Sequence, residues 1–198
     1  MQKRAEITHG NILKAARKLF AEYGYHGTTM DKIADTAKAN KQRVYAYFKS
    51  KSKLFETVLV SAYKEANRHE DALIAALDAN PTELTRTIIS HFINLHAKYP
   101  DFWKLITWAN LESEPFYKSV KNINDGTLDR IKPFYDQAQS DGRIPKGLSF
   151  EVYMYNLFAI SYFYHSNRRT LSNTLTPDLF TDGGMERLIE ETVLLMRG

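Results

Sequence analysis

The sequence predicts an all-α protein with a basic head and an acidic body, and three observations carry that expectation. Apolar residues recur at helical spacing along most of the chain. No run shows the strict alternation of a half-buried strand. Charge is uneven: residues 1–53 hold 12 Lys and Arg against 4 acidic residues, and the rest hold 15 against 19. The head therefore carries +8 and the body −4, making the formal +4 of the whole. Such a head suits a polyanionic partner; a solvated basic face is the plainer alternative.

The helices follow in order. Ile12, Ala16, Leu19, Phe20 and Tyr23 fall on one face of a first helix, which Gly24 stops. Thr29 is placed to cap a second, with Asp31 near the positive end of its dipole and Ile33, Ala34 and Ala37 on its apolar side. Asn40 can cap a third helix whose buried residues are Val44 and Phe48. Ser50 or Ser52 opens a fourth, expected to run unbroken over 54–79 until Pro81 ends it. Further helices are expected at 83–98, 101–112, 115–140, 149–170 and 184–197. Asn124-Asp125-Gly126 and Pro133 mark a kink or split in 115–140, and residues 172–184 read as a polar loop.

The stretch NKQRVYAYFKSK, residues 40–51, places four cations beside three aromatic rings. With Val44 and Phe48 turned inward at 100° per residue, Gln42, Arg43 and Ala46 occupy the outward centre, Tyr45 and Lys49 one flank and Tyr47 the other. Arg and Gln fit guanine and adenine edges, and Ala permits close approach to a thymine methyl. Flanking Tyr and Lys reach phosphates, which set register without reading sequence. The plainer reading packs Tyr45 or Tyr47 against the first helix.

Residues 12–55, from ILKAARKLFAEYGYHGTT through DKIADTAKANKQRVYAYFKSKSKLF, resemble the helix-turn-helix domain of TetR-family transcriptional regulators. The Leu-Phe-Ala-Glu-x-Gly-Tyr ending, Thr-Thr, Ile-Ala, Tyr-x-Tyr-Phe and a closing Ser-Lys pair stand in register. The resemblance implies a three-helix head, residues 1–51, that binds double-stranded operator DNA. A divergent helical body, residues 52–198, would dimerise and bind a small effector. Site residues carried over onto the matching positions are Thr28 and Thr29 at the start of the second helix, Lys41, Gln42 and Arg43 for base readout, and Tyr45, Tyr47 and Lys51 for backbone anchoring. Ala46 and Lys49 join them from the helical wheel. Lys38 departs from the pattern, since the family places Gly in that turn; either Lys38 is left-handed or Asn40 takes that position.

The body is rich in rings: 15 of the 25 Phe, Tyr and Trp lie between residues 99 and 164. Phe92, Phe102, Trp103, Ile106, Phe116, Tyr117, Tyr155 and Phe158 are candidates to line a pocket for an apolar or aromatic effector, against the alternative of ordinary core. Tyr153, Leu157, Ile160 and Tyr164 form one apolar stripe, with Leu188 and Leu195 on a second; both suit a homodimer contact. Catalytic signals are weak. His69-Glu70 opens like a His-Glu-x-x-His zinc motif, but Leu73 stands where the second His must be. The expected protein is a cytoplasmic regulator without metal, cofactor, enzymatic activity or membrane partner, most readily a repressor. Activation stays open, as does a helical adaptor whose basic head binds acidic protein or lipid.

Overall fold

A computed structural model describes residues 2–113, 116–123 and 126–198. Among these are eleven α-helices and no strand. They form two compact units, one of Met1–Asn67 with Pro100–Asn124, the other of Arg68–Tyr99 with Asp125–Gly198. No helix among the described residues is long and apolar enough to cross a membrane.

In the first unit, α1 (Gln2–Gly27) buries Ile12, Ala16, Leu19 and Phe20. Its regular winding breaks at Gly24, whose φ of 71° is open to glycine without strain. A Cβ there would stand 2.9 Å from the Trp108 ring, so the indole packs directly on bare backbone. Tyr23, expected on the buried face, is half exposed instead. Helix α2 (Met30–Thr36) buries Met30, Ile33 and Ala34, and α3 (Lys41–Phe48) buries Val44 and Phe48. Helix α4 (Lys51–Asn67) seats Leu54 and Phe55 at full burial. Phe20, Tyr25, Phe55 and a later residue, Phe116, close the interior as an aromatic cluster with centroids 4.7–6.3 Å apart.

The expected single helix over 54–79 is two: α4 stops at Asn67, and α5 (Glu70–Ala79) begins after a turn at Arg68-His69. Helix α6 (Leu84–Lys98) follows a 3₁₀ turn at Pro81–Glu83, and α7 (Pro100–Leu111) starts on its proline. The helix expected over 115–140 is also divided, into a 3₁₀ segment Phe116–Ile123 and α8 (Thr127–Ser140), which begins after left-handed Gly126 and runs through Pro133. Pro115, Asn124 and Asp125, which figured in that expectation, lie outside the described residues. Helix α9 (Phe150–Ser166) is capped by Ser149, and α10 (Arg168–Thr174) follows, so 149–170 is again split. Part of the expected loop over 172–184 is ordered as the end of α10 and a 3₁₀ turn at Asp178–Phe180 before α11 (Asp182–Leu195).

The core of the second unit packs α6 against α9, α11, α5 and α8. Ile88, Ile89, Ile93, Tyr153, Leu157 and Ile189 lie at its centre. The buried Tyr153 hydroxyl pairs with Thr85 Oγ1 at 2.9 Å, and burial pushes its ionisation well above the ordinary phenol range.

These contacts correct the expected dimer stripe. Tyr153, Leu157 and Tyr164 are 0–7% exposed and belong to the chain's own core; Ile160 packs against it and Leu188 is half-buried. Of that set only Leu195 is open, at 78%. The outward apolar face of α9 carries Val152, Tyr155 and Phe163 instead.

Candidate nucleic-acid interface

Three turns position the recognition face. Thr29 caps α2, its Oγ1 accepting from Lys32 N at 3.2 Å. Asn40 caps α3, its Oδ1 accepting from Gln42 N at 2.8 Å. Between them, Ala39 N donates to Ala34 O and Lys38 N to Asp35 O, a left-handed closure with Lys38 at φ 51°. The left-handed position thus falls on Lys38, not on Asn40. A residue other than glycine costs about 1 kcal/mol there.

With Val44 and Phe48 anchored at 0% and 4% exposure, α3 turns Lys41, Gln42, Arg43, Tyr45 and Ala46 outward, all exposed. The face is eight residues long, roughly 12 Å at 1.5 Å per residue, a good match to a major groove of about that width. Lys41 is held by Asp31 at 2.7 Å, which raises its pKa through the hydrogen bond and the charge. That ion pair is exposed and easily exchanged for a phosphate or base edge. Lys49 closes the helix at φ 59°, with Ser50 N donating to Phe48 O across it, the geometry of a tight γ-turn.

Three expected contacts have internal partners instead. Thr28 is fully buried and donates from Oγ1 to Leu19 O at 3.0 Å, so it braces α1 and cannot reach a ligand. Tyr47 is half-buried; its hydroxyl donates to Ala5 O at 3.2 Å and its ring meets the His9 edge. Lys51 donates to Tyr25 O at 3.1 Å and Thr28 O at 3.3 Å, with its ammonium 4.2 Å from the Tyr25 ring centre. It ties α4 to the end of α1, leaving one of three N–H donors for a phosphate. Thr29 keeps its outward place, with the cap using only the oxygen. The bonds of Thr28, Tyr47 and Lys51 are not visible in local spacing, because each partner lies on another element.

The effector candidates divide between the units. In the first, Phe102 is buried with its ring edge-on to Tyr63 at 5.0 Å, Phe116 is core, Trp103 and Ile106 are half-buried, and Tyr117 is 56% exposed. In the second, Phe92 meets Phe158 edge-to-face at 4.7 Å, and Tyr155 is 70% exposed. Phe116 is thus structural, and Tyr155 and Tyr117 face solvent. A cleft of about 320 Å³ in the second unit is lined by Thr82, Thr85, Arg86, Arg143, Ile144 and Arg197 among others, and by none of the eight.

A buried-and-capped helix presenting Gln, Arg, Ala and Tyr from a basic three-helix head defines a helix-turn-helix DNA-binding protein. Residues 12–58 match the model for bacterial regulatory proteins of the tetR family, and residues 81–195 match the tetracyclin repressor-like C-terminal domain. The chain is 30% identical over 180 residues to the HTH-type transcriptional repressor NicS of Pseudomonas putida, covering 89% of this chain and 84% of that one. It is 34% identical over 133 residues to the HTH-type transcriptional repressor SCO4008 of Streptomyces coelicolor, covering 61% and 65%. The fold superposes on the crystal structure of HlyIIR, a hemolysin II transcriptional regulator, with a TM-score of 0.69 at 22% identity, over 98% and 99% of the two chains. The chain belongs to the TetR family and is a DNA-binding transcriptional regulator.

Proposed function

We propose that the protein is a cytoplasmic homodimeric repressor that holds a palindromic operator until a small apolar or aromatic molecule releases it. The exposed Lys41–Gln42–Arg43 corner of α3, fixed by the burial of Val44 and Phe48, is the observation that carries the DNA-reading part. Named repressors among the relatives support repression over activation.

Dimerisation rests on α9. A helix that is apolar on its buried face and again at Val152, Tyr155 and Phe163 needs cover on both sides. Leu194 and Leu195 offer α11 the same need, at 61% and 78% exposure. A second copy is the occupant we assign, because a two-fold operator requires two heads. For the effector, the candidates are half-buried Phe92 with the exposed Phe158 in the second unit or, separately, half-buried Trp103 with Ile106 beside it on α7 in the first.

Selection of bound duplexes from a random pool tests the reading. A palindromic consensus is expected, with half-sites about one helical turn apart or closer. Recovery of an unpaired site, or of no consensus, would contradict it.

A further inference from the structure

We propose that Lys38 is a DNA phosphate contact, set in place by its left-handed turn. This rests on α3 entering the major groove, and it adds a position that the helix-turn-helix resemblance does not supply.

Two independent observations carry the assignment. Lys38 and Lys49 are the non-glycine residues with positive φ among those described, at 51° and 59°. They bracket α3: Lys38 stands two residues before its cap, and Lys49 ends it. Glycine would adopt the Lys38 conformation without strain, so the feature lysine adds is its side chain. That side chain is exposed, and its ammonium has no hydrogen bond or ion pair among the described residues.

The neighbouring cations are committed elsewhere. Between residues 28 and 53, Lys32 donates to Gly27 O, Lys41 pairs with Asp31, Lys51 donates to Tyr25 O and Thr28 O, and Lys53 pairs with Glu56. Lys38, Arg43 and Lys49 are left uncommitted in that stretch. Arg43 sits on the outward centre of α3; Lys38 and Lys49 flank it at opposite ends, eleven residues apart. A helix-and-turn span of that length is roughly 15 Å, comparable to the distance across the groove mouth where the phosphates stand. An ammonium at each end would therefore grip both strands while Arg43 reads between them.

The test compares Lys38→Gly, Lys38→Asn and Lys38→Arg with the unmodified protein, by fluorescence anisotropy on a selected operator duplex and a scrambled duplex at several salt concentrations. Lys38→Gly should unfold at a higher temperature, because strain is relieved, and yet bind both duplexes more weakly by a similar factor. Its log–log salt slope should fall by ~0.9 per head, or ~1.8 per dimer. Lys38→Asn, which also tolerates the left-handed turn, should lose the same slope, and Lys38→Arg should keep it. Unchanged affinity and slope in Lys38→Gly and Lys38→Asn would overturn the proposal. Arg43→Ala on the same duplexes separates the two readings. If it too leaves operator binding intact, α3 is not the reading helix; if it alone acts, the failure is confined to Lys38.

Discussion

Helices α3 and α9 each bury one face in their own unit and show the other to solvent, but the outward faces differ in kind. Helix α3 presents Lys41, Gln42, Arg43, Tyr45 and Ala46, whereas α9 presents Val152, Tyr155 and Phe163. A polar, cationic face retains its hydration and gives it up only to a partner that returns hydrogen bonds and charge. An apolar face gains by burial against any surface of matching shape. The outward chemistry, not the inward packing, separates the helix proposed to read DNA from the one proposed to self-associate.

The largest expected effect is on α9. Tyr155→Glu with Phe163→Glu alters two side chains already 70% and 51% exposed, so the fold should hold. Charge buried at the proposed subunit contact should dissociate the proposed dimer, and operator affinity should fall by about 100-fold or more as the linked second head is lost. Light scattering checks the mass. A double variant that remains dimeric and folded would place the contact elsewhere.

A second prediction concerns acid. His96 on α6 is buried, facing His165 and Tyr162 of α9, and burial together with the His165 charge lowers its pKa to about 4. Burial lowers His91, near His69, and His165, near Arg168, in the same direction. The unfolded imidazole of His96 takes its proton near pH 6.5, the folded one only near 4. Stability is therefore full above the unfolded value and is lost as pH falls from about 6.5 toward 4, by up to about 3 kcal/mol for His96 alone. Thermal midpoints measured from pH 7 to 4.5 should decline, and His96→Leu should flatten the decline. Parallel curves for the two proteins would contradict the assignment.

The sequence predicts the head better than the body, and the reason lies in how each is specified. Val44 and Phe48 stand among polar neighbours, so their burial and the orientation of α3 follow from a helical wheel. In α9 apolar residues surround the helix, so periodicity cannot choose the inward side; the Tyr153 stripe proved to be core and the Tyr155 stripe open. The turn at Arg68-His69 carries neither Gly nor Pro, and apolar residues resume at Ala72-Leu73, so local sequence gives no signal for a break there. Lys51, Tyr47 and Thr28 have the chemistry of DNA contacts but are bonded to α1 and the turn after it, which only tertiary structure reveals.

A smaller effect sharpens the contrast within α3 itself. Tyr45 is 42% exposed, whereas the Tyr47 hydroxyl is used by Ala5 O. Tyr45→Phe should weaken DNA binding by about 1 kcal/mol and leave the melting temperature unchanged. Tyr47→Phe should do the reverse, costing about 1 kcal/mol of head stability at most. Equal effects of the two on binding would return Tyr47 to the DNA surface.

The most direct measurement is the operator-to-scrambled affinity ratio of Arg43→Ala, by anisotropy at fixed salt. The ratio should fall by roughly 5- to 150-fold per half-site, the equivalent of about 1–3 kcal/mol, with preference relaxed at one base-pair position in each half-site. If both affinities fall by the same factor and the ratio is preserved, α3 grips DNA without reading it, and the recognition surface lies elsewhere.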